Sequence, residues 1–189
     1  MDRAQIIAGA CARIEEGNLE AARRDIADYY PLPGASTSRS GRSNIAVLRI
    51  FTRDGFTDRY DGKRLVFPGA LRMLSLLMPD EFPYHPNWKQ AQTHSAYWEL
   101  CPTIDHVVPI ARGGADDEAN VVTTSMVRNA AKSNWLLAEL GWCLQAAPSA
   151  SWDGLLGWFM RQWTERRAVC DIPYLRAWHR AALHVHGHE

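Results

Sequence analysis

Between Ile104 and Trp135 the chain reads IDHVVPIARGGADDEANVVTTSMVRNAAKSNW, a run in which Asp105, His106, Asn120 and Asn129 bring a carboxylate, an imidazole and two amides into one short stretch. These are the groups that hydrolysis of a phosphodiester requires. A hard cation such as Mg²⁺ takes oxygen ligands, and the Asp105 carboxylate with the Asn129 amide oxygen supplies two of them. His106, next to Asp105, suits a general base, since a neutral imidazole near physiological pH accepts a proton from water. The cation supplies the positive charge that the pentacoordinate phosphate and the leaving oxygen need. Lys132, Arg112, Arg53 and Arg128 are the nearest cations for phosphate contacts.

Several elements must position these groups. Thr103–Val108 is β-branched and predicts a strand that ends at Pro109. Neighbours on a regular strand point to opposite faces, so a bend at Pro109 would be needed to turn Asp105 and His106 towards one cavity. Arg112–Gly114 and the Ala-Asp-Asp-Glu that follows form a loop by their turn chemistry, and Val121–Thr124 predicts a second short strand. Ser125 opens a helix expected to run through Leu140 and to stop at Gly141, placing Asn129 and Lys132 on one face.

Outside this stretch, residues 2–16 and 18–30 predict two amphipathic helices, the second capped by Asn18, and Pro31 and Pro33 close the hairpin. The Gly- and Ser-rich segment after them predicts a flexible linker over 34–44. Ile45–Phe51 suits either a helix or a strand, Pro68–Met78 a helix, and Ser95–Leu100 a helical turn or two. Between these last two lies FPYHPNWK, an irregular segment rich in proline and aromatics. Trp152–Val169 and Pro173–Val185 predict C-terminal helices whose Trp152, Trp158, Trp163 and Trp178 read as core packing. The terminal His184, His186 and His188 read as a frayed polar end rather than a metal tract.

Composition sets bounds on function. The 189 residues suit one domain with appendages, and 47% hydrophobic with 22% charged residues marks a folded globular chain. No apolar run reaches the ~18 residues of a membrane span, and the N-terminus lacks the apolar centre of a secretion signal, so a cytoplasmic location is expected. Cys11, Cys101, Cys143 and Cys170 form no CxxC pair, and they read as reduced thiols. With 21 basic and 21 acidic residues the chain has no basic excess, which weighs mildly against a DNA-directed role. Local clusters offset this: Arg39, Arg42 and Arg49 in one segment, and the arginines between Arg161 and Arg180 in another.

The pattern Asp-His, Pro, Gly-Gly, Asn, then Asn and Lys on a helix resembles the HNH (ββα-metal) nuclease family. The resemblance implies an α+β fold, mostly helical, in which a ββα-metal core is surrounded by helices. It implies His106 as general base, Asn120 as the residue that ties the loop and orients that base, and Asp105 and Asn129 as metal ligands, an HNN variant. Oxygen ligands favour Mg²⁺ or Mn²⁺ as the working ion. Asp58 and Asp61 stand where many members carry the first CxxC of a zinc knuckle, and Ser125 and Arg128 where they carry the second, so no structural zinc is expected. An aspartate-based second metal site at 58 and 61 is disfavoured, because Ser125 and Arg128 are poor partners. The segment between Asp61 and Asp105 is longer than in compact members, and its His94 is a further candidate for the site, ahead of His85.

The implied organisation is an N-terminal helical hairpin (1–33), a linker (34–44), a nuclease core (45–142) and a helical extension packed on that core (143–189). The implied activity is endonucleolytic hydrolysis of DNA, as used in restriction, phage packaging, mobile elements and defence; an RNA-directed enzyme or toxin shares the chemistry. The alternative is a module with a decayed HNH fold that binds nucleic acid or protein without cutting. The neutral charge favours it slightly, as does a hairpin able to contact a protein partner or a second copy.

Overall fold

A computed structural model describes residues 2–30, 41–147 and 152–187 of the chain. They fall into two compact units, Met1–Arg39 and Ser40–Glu189. The first is a pair of helices, α1 (Arg3–Glu15) and α2 (Leu19–Tyr29). Both start at side-chain caps: the Asp2 carboxylate accepts from the Ala4 N–H, and the Asn18 amide oxygen accepts from the Ala21 N–H. Ile6, Ala10, Ala21 and Ala22 are buried, while Ile7, Ile14, Leu19 and Tyr29 remain exposed. Pro31 and Pro33 and most of the expected linker lie outside the described residues.

The second unit is α+β and mostly helical. It contains α3 (Asn44–Arg53), α4 (Pro68–Leu77), the short α5 (Ala96–Glu99), β1 (Pro102–His106), β2 (Val121–Ser125), α6 (Met126–Lys132), the single turn α7 (Leu137–Leu140), α8 (Leu156–Glu165) and α9 (Pro173–His186). The ambiguous Ile45–Phe51 stretch is helical. Ser43 caps it by accepting from the Ala46 N–H, and Leu48 and Phe51, three residues apart, point into the core. The linker expected through 44 therefore ends earlier, since Ser43 and Asn44 already belong to α3 and its cap.

The helix expected from Ser125 to Leu140 is interrupted. It ends at Lys132, the chain turns at Ser133 with φ 46°, and α7 is a separate turn closed by Gly141 in the left-handed region. Ser133 and Asn134 are weak helix formers, so nothing local opposes the break. The helix expected over 152–169 is likewise shorter, with Asp153 accepting from the Leu155 and Gly157 N–H groups at its start. The terminal histidines are not frayed as far as His186, because α9 continues to that residue and Arg49 contacts the His184 ring; His188 lies outside the described residues.

The main core joins α3, α4, α8 and α9. Leu48, Phe51, Phe67, Phe159 and Leu175 are essentially inaccessible, and Trp178 is buried among them. Phe67 meets both Phe159 and Trp178 edge to face, at 5.1 and 5.4 Å between ring centroids. Trp152, Trp158 and Trp163 pack around this cluster, so all four C-terminal tryptophans serve packing. A second cluster forms where Tyr97 and Leu71 gather Phe82, Tyr84 and Trp88, giving the proline-rich segment its own small core.

β1 and β2 pair antiparallel, with Asp105 opposite Val122 and His106 opposite Val121. A two-stranded sheet is marginal by itself, and its free edge carries unpaired backbone groups. Here residues 53–59 close the outer edge of β2. The Asp54 carboxylate accepts from the Thr123 N–H at 2.8 Å, and Arg59 donates its own backbone N–H to the Thr123 carbonyl at 2.9 Å. Arg53 donates to the Val121 carbonyl at 2.7 Å, and the Asp58 carboxylate accepts from the Ser125 N–H at 2.9 Å.

Asp54 is fully buried between Arg53 and Arg59. Burial alone would raise its carboxyl, but the hydrogen bonds from Arg53 and the Thr123 N–H outweigh burial and hold it below its ordinary value. Asp54→Asn should cost about 3–5 kcal/mol of unfolding free energy at neutral pH, as read by urea titration. With a depressed folded pKa, the stabilisation is present above the unfolded value of about 3.9 and is lost as pH falls through the folded value. The wild-type and variant curves should therefore converge in acid. A gap that stays constant into strong acid would show that the charge of Asp54 is not what closes the edge.

Candidate functional site

The strand–loop–strand–helix run of 102–132 places the sequence-derived residues as follows. Asp105 turns inwards: its Oδ2 accepts from the Tyr60 hydroxyl at 2.6 Å and pairs with the Lys132 ammonium at 2.9 Å. Burial and the adjacent Asp105 carboxylate push the Tyr60 phenol well above its ordinary pKa, so it remains a donor. Both partners hold the same oxygen, which leaves Oδ1 as the carboxylate's remaining ligand atom.

Lys132 is 0% exposed. Besides Asp105 it donates to the His106 carbonyl at 2.7 Å, pinning α6 under the end of β1. The expectation that it contacts phosphate is thus replaced by an internal role, because an ammonium without solvent access does not reach a backbone phosphate. Asn129, one turn earlier, donates its amide nitrogen to the Ile104 carbonyl at 3.3 Å, which leaves its amide oxygen as an available ligand atom.

The loop between the strands is tied by Asn120. Its amide oxygen accepts from the Val108 N–H at 2.9 Å, and its nitrogen donates to the carbonyls of Val108 and Ala115. Gly114 makes the loop possible, since a Cβ there would lie 1.8 Å from the Val108 carbonyl oxygen. Gly113, at φ 86°, supplies the preceding left-handed turn.

The His106 ring points towards this loop, away from the partners of Asp105, with Nε2 2.9 Å from Asp116 Oδ1. The same Asp116 oxygen accepts from Arg42 Nη2 at 2.6 Å. The adjacent side chains of Asp105 and His106 thus have separate partners, as a regular strand dictates.

The remaining cations are engaged within the chain. Arg53 donates to Asp54 and to the carbonyls of Glu118 and Val121, and serves the β2 edge. Arg128 pairs with Asp61 at 2.6 Å and lies over the Trp142 ring. Arg112 pairs with Glu139 at 2.9 Å, with both side chains about one third exposed. An exposed pair of this kind contributes ~0–1 kcal/mol, so of the four expected phosphate contacts Arg112 is the one that gives up its partner most easily.

His94 and His85 belong elsewhere. His94 stacks on Phe82 at 4.2 Å and accepts from the Ala96 N–H, while His85 accepts from the Asn87 N–H. Both organise the aromatic segment and its junction with α5.

Asp58 and Asp61 face the two positions with which the family pattern groups them. Asp58 is buried and accepts from the Thr124 hydroxyl as well as the Ser125 and Tyr60 N–H groups; Asp61 pairs with Arg128 and Lys63. Their oxygens are committed to these bonds, which leaves little for a second cation. Among the described residues no three His, Cys, Asp or Glu side chains converge to cage a metal. A Mg²⁺-type site with one carboxylate and one amide does not need such a cage, because that ion keeps several waters.

Tyr60, Asp116 and Arg42 carry no motif that would single them out in the sequence. Tyr60 lies between Asp58 and Asp61, far before Asp105 in the chain. The chain matches no protein-family model, and no curated protein or solved structure is detectably similar to it.

Removing the Lys132 ammonium would leave the Asp105 charge buried and unpaired. Lys132→Ala should therefore cost about 3–5 kcal/mol, and the loss should shrink in an Asp105→Asn background, as measured by a urea double-mutant cycle. A loss below about 0.5 kcal/mol would mark Lys132 as a surface charge and remove its internal role.

Proposed function

We propose that this protein is a divalent-metal-dependent endonuclease of the HNH (ββα-metal) type that hydrolyses DNA phosphodiester bonds. The observation that carries the reading is the packing of α6 along β1. It sets the Asn129 amide against Ile104, beside Asp105, while Asn120 ties the intervening loop with three hydrogen bonds. The cross-linking of Asp58 to Ser125 and of Asp61 to Arg128 adds support, because it pairs the four positions that the family pattern groups together.

The donor set fits Mg²⁺ or Mn²⁺, because Asp105 Oδ1 and the Asn129 amide oxygen are hard oxygen ligands. When bound there, the ion supplies positive charge for the phosphorane-like transition state and the leaving oxygen. Tyr60 and Lys132 keep the carboxylate's Oδ2 occupied, so it presents one oxygen in one direction. His106 takes the proton of the attacking water as the new phosphorus–oxygen bond forms and the old one breaks. Arg112 contacts a phosphate by exchanging its Glu139 partner.

A second reading is favoured by one observation: Lys132, Arg53 and Arg128 are all committed inside the chain, which thins the phosphate-binding surface. On this reading the unit is a non-cleaving interaction module, and the hairpin that exposes Ile7, Ile14, Leu19 and Tyr29 contacts a protein partner.

Plasmid cleavage in Mg²⁺ or Mn²⁺ separates the two. His106→Ala should lower the rate by about 10²–10⁴-fold, the usual contribution of a general base, and Asn129→Ala should raise the metal concentration needed for half-maximal cleavage. Unchanged cleavage by His106→Ala would discard the base assignment. No heat of binding for either ion by calorimetry, together with no cleavage, would establish the interaction module.

A further inference from the structure

The loop acid Asp116 has no role in the proposed hydrolysis, yet its carboxylate meets the His106 ring. Its Oδ1 sits 2.9 Å from His106 Nε2 and 2.6 Å from Arg42 Nη2, so one oxygen joins an arginine at the start of the second unit to the candidate base. The hydrogen bond to His106, and then the guanidinium of Arg42, hold the Asp116 carboxyl below the usual carboxylate range. At neutral pH it is therefore ionised, and an ionised carboxylate only accepts hydrogen bonds. His106 Nε2 must then be the donor.

In a neutral ring with the proton on Nε2, the lone pair lies on Nδ1. From this geometry we infer that Asp116, held in place by Arg42, is a positioning residue that fixes the proton of His106 on Nε2 and leaves Nδ1 as the atom that accepts a proton. The inference rests on the nuclease reading for what Nδ1 accepts a proton from, and on the contact alone for where the ring carries its own proton. The tie also limits rotation of a ring that is only 14% exposed. Gly113 and Gly114 shape the loop that brings Asp116 back to the strand, and Asn120 holds that loop through the Ala115 carbonyl, next to Asp116. Asp116 is thus presented from a tied loop.

The test is ¹⁵N-detected imidazole spectroscopy on the full chain without nucleic acid, at about pH 8, where an ordinary histidine is neutral. The wild type should show a His106 pattern with a protonated Nε2 and an unprotonated Nδ1. Asp116→Ala should move it to a mixture of the two tautomers, and Asp116→Asn, whose amide N–H₂ can donate to Nε2, should move it towards protonated Nδ1. Asp116→Glu should keep the wild-type pattern. In cleavage assays Asp116→Asn should lower kcat roughly 10- to 100-fold, with KM nearly unchanged, and Asp116→Glu should recover most of the loss.

A wild-type ring protonated on Nδ1, or a pattern that Asp116→Ala leaves unchanged, overturns the inference even if the protein cuts DNA. The tautomer shift without any nuclease activity sinks the nuclease reading and keeps Asp116 as the group that sets the ring proton. Far-ultraviolet circular dichroism of each variant excludes unfolding as the cause, and Arg42→Gln, which spares Asp116 itself, should give a shift in the same direction but smaller.

Discussion

The second unit depends on how the outer edge of β2 is closed. A lone two-stranded hairpin has too few internal contacts to hold its register, and its exposed edge invites pairing with other chains. Here that edge meets the end of α3 and the turn after it: a carboxylate on the Thr123 N–H, a backbone amide on the Thr123 carbonyl, a guanidinium on Val121 and a second carboxylate on Ser125. Charged groups take the part of a third strand. Because three of these four bonds are charge-assisted, and the two carboxylate bonds are buried, the edge is held strongly and directionally. They also fix β2 against the helical core, and with it the loop and helix on either side.

From that anchor the candidate site follows in order. β1 pairs with β2, α6 returns beneath β1, and Lys132 reaches up to Asp105 and to the His106 carbonyl. A buried ammonium is tolerated only where its charge is met, so the position of Lys132 and that of Asp105 determine one another. The carboxylate is left with one free oxygen, a geometry suited to a ligand that must point in a single direction. On the opposite face of the strand, His106 turns to Asp116 and so to Arg42. Alternation along a regular strand thus gives two adjacent residues separate surroundings.

The charge balance takes on a different meaning in this setting. A chain with no net charge need not have an uncharged site, but here several of its cations are spent internally: Arg53 on the β2 edge, Arg128 on Asp61 and Lys132 on Asp105. Arg112, in an exposed pair with Glu139, is the exception within the candidate set. Phosphate recognition by this unit, as proposed, would therefore rely on few contacts, with weak sequence-independent binding and a modest dependence on salt.

Much of the local structure was legible in the sequence, because it depends on local physics. The caps at Asn18 and Ser125, the proline that opens α4, the glycine loop and the two short strands all follow from propensity and turn chemistry acting within a few residues. The same holds for Asn120, whose amide can satisfy both sides of a tight loop next to it in the chain.

Only the tertiary structure decided which polar groups meet. Tyr60 reaches Asp105 and Arg42 reaches Asp116 across long stretches of chain, where spacing carries no signal. The burial of Lys132 and the break after it were equally invisible, since a lysine in a short helix reads as surface until a carboxylate is placed opposite it. Residue types and local spacing determined what chemistry this chain can offer. The long-range pairing of charges determined which of those groups remain available for it.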